Sequence, residues 1–113
     1  MARLDSATNQ SLTQLLEQLL ALIDQARETE FQIFSQYGET ELSIVAMNEL
    51  VDVAQKSADF YRQLSNFRLR IAEAQPDIAN DVLALLVERL ELMRNSIPAF
   101  ERSISEVKLI WRL

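Results

Sequence analysis

Apolar residues recur every three and four positions along most of this chain, and the pattern is densest from Leu83 to Trp111. The ladder Leu83, Leu86, Leu90, Met93, Ile97, Phe100, Ile104, Val107 and Trp111 is apolar at every step. Such a repeat places its members on one face of a helix and joins them into a continuous seam. A helix of this kind does not persist alone, because ordering the chain costs more than an unpartnered face returns. The seam needs partners, and two further amphipathic stretches upstream supply them.

Asp5, Ser6, Thr8 and Ser11 are all residue types that cap helices, and Ser11 with Gln14 fits a capping box. A first helix is therefore expected to begin between Ser6 and Ser11. Its seam reads Leu12, Leu16, Leu19, Ile23, Ala26, Glu30, Ile33 and Tyr37, widened by Leu15, Leu20, Leu22 and Phe34. Glu30 alone is polar, and it reads as a side chain bending to solvent near the helix end. Gly38, the only glycine, follows where a helix C-terminus favours positive φ. Thr40 can cap a second helix, with Glu41 well placed in its first turn.

The second helix carries Ala46, Leu50, Val53, Ser57, Phe60, Leu64, Phe67, Ile71 and Ala74 on its seam, broadened by Val51, Ala54, Ala58 and Tyr61. Gln75-Pro76 ends it, since the residue before proline is pushed out of the helical region. Pro76 suits the first turn of a third helix, with Asp77 and Asp81 near its positive end. Pro98 removes one backbone hydrogen bond inside that helix, and a kink rather than a break is expected because the seam keeps its register.

The expected fold class is all-α: one domain of three long antiparallel helices, up-down-up, over about 6–37, 40–74 and 76–112. Folding back about Gln75 sets Phe67 against Leu83, Leu64 against Leu86, Phe60 against Leu90 and Ser57 against Met93. Trp111 then lands near Phe34 and Tyr37 and plugs that end of the bundle. The layout resembles that of spectrin-type three-helix repeats, without a family signature in the sequence.

Composition narrows the function more than the fold. With 113 residues there is enough chain for one modest core, and a single glycine with two prolines argues against folds of many turns. Net charge is −6, so no global field draws nucleic acid or anionic lipid. The absence of cysteine removes disulfides and thiolate chemistry, and the absence of histidine removes the commonest general base and metal ligand. Met1 to Gln10 has only Met1, Ala2, Leu4 and Ala7 as apolar residues, which gives no secretory signal. The longest apolar run, Val82–Val87, is far too short to span a membrane. A cytoplasmic protein with no cofactor, and without nucleic-acid or membrane partners, is expected.

Two carboxylate pairs have the i, i+3 spacing that can hold Mg²⁺: Glu49 with Asp52, and Glu88 with Glu91. They resemble the paired carboxylates of all-α nucleotide pyrophosphohydrolases, and that resemblance implies the alternative reading, a divergent metal-dependent nucleotide hydrolase. Taken on their own chemistry, Glu49 and Asp52 have Lys56 within one turn and form a surface ion-pair group. Glu88 and Glu91 point away from their seam. Arg62, Arg68 and Arg70 form the only local cationic excess, but they point in different directions and lie near Asp59 and Glu73. Tyr37, Tyr61 and the serines have no base to activate them, while Met47 and Met93 belong to the core. No catalytic, cofactor or metal residue is expected.

One feature exceeds a plain core. Ile78, Leu85, Leu92 and Ala99 repeat every seven residues on the third helix, well around from its main seam. A line of Ile and Leu facing outward marks an interaction surface. The sequence therefore points to a non-catalytic protein that works by association, most simply as a homodimer through this stripe, with a further protein partner it does not name.

Overall fold

The computed structural model describes residues 3–113, and among these the chain forms three helices and no strand. They are α1 (Ser6–Tyr37), α2 (Glu41–Ala74) and α3 (Asn80–Trp111). At about 1.5 Å per residue, helices this long run about 50 Å, and the bundle is accordingly a rod of 57 × 20 × 17 Å.

α1 starts at Ser6, the early edge of the expected range. Asp5 is the N-cap, accepting a 2.6 Å hydrogen bond from the Thr8 backbone N–H, so the helix begins before the Ser11–Gln14 box. At its other end Gly38 takes φ 67° and donates its N–H to the Phe34 carbonyl. A Cβ there would meet nothing within 4 Å, so it is the backbone conformation rather than space that calls for glycine.

Thr40 caps α2 as expected, and it does so in a closed box with Ser43. The Ser43 N–H donates to Thr40 Oγ1 at 3.0 Å, while the Thr40 N–H donates to Ser43 Oγ at 2.7 Å. Ser43 Oγ also donates to the Gly38 carbonyl at 2.7 Å, although the residue is fully buried. One serine thus ties both sides of the α1–α2 turn.

The core follows heptad lines. On α3, Leu86, Leu90, Met93, Ile97, Ile104 and Val107 are buried, with Leu83, Phe100 and Trp111 half-buried beside them. On α2 the line runs Ser43, Ala46, Leu50, Val53, Ser57, Leu64 and Ile71, while Ala74 is exposed. On α1 the buried residues are Leu12, Leu15, Leu19, Leu22, Ala26, Thr29 and Ile33. Leu15, Leu22 and Thr29 thus replace the expected Leu16, Ile23 and Glu30. Both lines share Leu12, Leu19, Ala26 and Ile33, and the position of the neighbours decides between them. Leu22 borders α3 at Glu101 and Ser105, whereas Ile23 borders α2 at Ala54 and Ala58. Glu30 stays at the edge and pairs with Arg27 at 3.0 Å.

The α2–α3 connection departs furthest from expectation. Pro76 lies outside α3, which starts at Asn80 with Ala79 as N-cap and no side-chain cap. The Gln75-Pro76 peptide is cis. Ile78 turns inward and is only 2% exposed. Burying an isoleucine is worth about 1.5–3 kcal/mol, more than another helical turn of polar residues would gain. Because residues 75–79 form a loop, the two helices slide relative to a tight fold-back. Phe60 packs against Phe100, with ring centroids 5.9 Å apart, rather than against Leu90. Leu64 lines a groove with Met93 rather than meeting Leu86. Since each seam repeats every seven residues, a slide of about one heptad still sets seam on seam.

α3 continues unbroken through Pro98. Its last turn reaches the α1–α2 end of the rod, as expected. There the Trp111 ring stands edge-on to Tyr37 at 4.9 Å, and the Tyr37 hydroxyl donates to the Trp111 carbonyl at 2.8 Å.

Candidate interaction surfaces

The helices that bury the core leave several apolar side chains outside it. α1 and α2 pack closely along their length, and α3 lies against that pair less intimately. More of the α3 circumference therefore faces out. Leu85 is 43% and Leu92 58% exposed, one heptad apart on the same side of a continuous helix, and Ala99 is exposed one heptad further on. Val82, a turn before Leu85, is also exposed. Ile78 drops out of this stripe: it precedes the helix and packs into the core, where its buried apolar surface anchors the loop.

Charge around the stripe is balanced. From Asn80 to Trp111 there are five carboxylates and four cations, so two copies of this face bring little net repulsion together. Lengthwise, such a helix presents an apolar line with mixed charges on its flanks, which is the composition of a helix–helix interface.

The carboxylate pairs of the sequence stay apart. Glu49, Asp52, Glu88 and Glu91 are all exposed, and Asp52 binds Lys56 at 2.9 Å. Among the described residues no three or more His, Cys, Asp or Glu side chains gather where a metal ion could be held. The arginines of α2 are likewise dispersed: Arg62 pairs with Asp59 at 3.0 Å, and Arg68 reaches across to Asn9 Oδ1 at 3.3 Å. No helix among the described residues is long and apolar enough to cross a membrane.

A second exposed apolar region lies at the α1–α2 turn, mostly on residues outside the three seams. Phe31, Phe34, Ile44 and Val45 are between 43% and 69% exposed. Phe31 and Phe34 with Ile44, Met47 and Val51 line an open groove of about 630 Å³ between α1 and α2. Leu109 and Ile110 are exposed on the last turn of α3 at the same end of the rod. The signal for this region was present in the sequence as large apolar residues lying off every seam, above all Phe31, Ile44 and Val45.

No family model, curated protein or solved structure matches this chain.

Proposed function

We propose that this protein acts without catalysis, through protein–protein association, and that two copies pair along the outward stripe of α3. The observation that carries this reading is the exposure of Leu85 and Leu92, one heptad apart on one continuous helix. Leaving two leucines half in water forgoes about 1 kcal/mol of burial for each, and a partner helix recovers it. A second copy is the simplest partner. A two-fold contact presents the same stripe twice, so Leu85 and Leu92 meet their equivalents, and the small Ala99 lets the backbones approach. The near-neutral flanks of α3 add no obstacle.

Sedimentation velocity of the full chain tests the pairing. The parent is expected as a dimer, and Leu85→Lys with Leu92→Lys is expected to shift it to monomer with its helical circular dichroism unchanged. If the double variant sediments like the parent, the stripe is not the interface.

A further inference from the structure

The groove at the α1–α2 turn carries an inference separate from pairing along α3. It lies between two parallel walls, α1 at Arg27, Glu30, Phe31 and Phe34, and α2 at Ile44, Met47, Asn48 and Val51. Its volume of about 630 Å³ is enough for several large side chains, and it is open to solvent along its length. An open trough between two helices receives a third rod more readily than an enclosed small molecule. A helix laid there, facing away from α3, would complete a four-helix arrangement.

Charge states what kind of helix fits. From Asp24 to Lys56 the chain has seven carboxylates against two cations, which is −5 of the whole chain's −6. Both cations are already engaged, Arg27 with Glu30 and Lys56 with Asp52. Glu39 is part of the trough's lining, and the exposed Asp24 and Glu41 stand one turn before Arg27 and Ile44 on their helices. A second copy docking through the same hairpin would set this charge against itself. A cationic ligand would be drawn to it and held at its rim.

We propose that the α1–α2 groove is a docking site for a basic amphipathic helix of another protein. Its apolar side chains, at i, i+3 or i+4, and i+7, would lie on Phe31, Phe34, Ile44, Met47 and Val51. Its lysines or arginines would flank Glu39 and the neighbouring carboxylates. The site uses no residue of the α3 stripe, so either surface can fail without the other.

The probe is a synthetic peptide of about 18 residues with leucines at helical spacing and lysines elsewhere, titrated calorimetrically into the full chain. Controls have the same composition with the leucines scattered, or glutamate in place of lysine. Saturable binding is expected for the amphipathic lysine peptide only, with amide shifts centred on Phe31 to Val51. Affinity is expected to weaken as NaCl rises from about 50 to about 300 mM. Phe31→Lys with Ile44→Lys replaces two exposed side chains and is expected to weaken binding at least about tenfold. Asp24→Lys with Glu39→Lys keeps the apolar floor, and its loss of affinity is expected to shrink at high salt.

Equal binding by the scattered peptide, unchanged affinity in both double variants, shifts mapping elsewhere, or no saturable binding up to about 1 mM overturns the proposal. So does a self-association of the native chain that Phe31→Lys with Ile44→Lys abolishes, since a second copy would then occupy the groove.

Discussion

Ser57 is fully buried in the middle of α2, and its hydroxyl has no hydrogen-bond partner among the described residues. Thr29 on α1 is equally buried, but its hydroxyl donates to the Gln25 carbonyl at 2.7 Å. The difference has an energetic consequence. A buried hydroxyl without a partner costs about 1–3 kcal/mol of lost hydration, and alanine is also the better helix former. Ser57→Ala is expected to stabilise the fold by about 0.5–1.5 kcal/mol in chemical denaturation. A destabilised variant would show that the hydroxyl does useful bonding. At the other extreme of exposure, donation from Thr8 holds the Asp5 carboxyl below its ordinary value of 3.8. A group whose folded value is depressed contributes stability above its unfolded value and loses it as pH falls through the folded one. The first turn of α1 is therefore expected to fray as pH drops below about 4. Asp5→Asn keeps a capping oxygen and is expected to remove that pH dependence, as read by amide exchange of Thr8 and Asn9.

The α1–α2 hairpin owes its sharpness to three residues acting together: Gly38 in its positive-φ conformation, Thr40 as cap, and Ser43 beneath both. Ser43→Ala removes the acceptor for the Thr40 N–H and the donor to the Gly38 carbonyl, and is expected to cost about 1–2 kcal/mol in thermal or denaturant unfolding. No change in stability would mean that water replaces both bonds. Gly38 and Thr40 were legible in the sequence because their roles are local: a backbone angle and a cap. The part played by Ser43 was not, since the expected third residue of a capping box is glutamate or glutamine. The α3 ladder was legible in full because every third or fourth residue is apolar. On α1 two interleaved ladders share alternate members, and only the direction of α2 and α3 selects Leu15, Leu22 and Thr29. The late start of α3 was hidden for the same reason. Pro76 satisfies every local rule for a first helical turn, yet the pull of Ile78 into the core is a tertiary effect.

At the scale of the molecule, two properties are segregated along and around the rod. Nearly all the net charge sits on the α1–α2 half of the hairpin, while α3 is close to neutral. The exposed apolar side chains include two groups: Val82, Leu85 and Leu92 along α3, and Phe31, Phe34, Ile44 and Val45 by the turn. The α3 stripe was readable from its heptad spacing, apart from Ile78. The groove was not, because it depends on the side-by-side placement of residues from two helices and on a local charge that the whole-chain value conceals. A near-neutral apolar stripe suits a second copy, and an acidic apolar trough suits a basic partner. The most direct test of association through α3 is the mass of the native chain by sedimentation equilibrium over a range of concentrations. A species of twice the 13.0 kDa chain mass is expected, dissociating on dilution, and a chain that stays at 13.0 kDa at every concentration would contradict it.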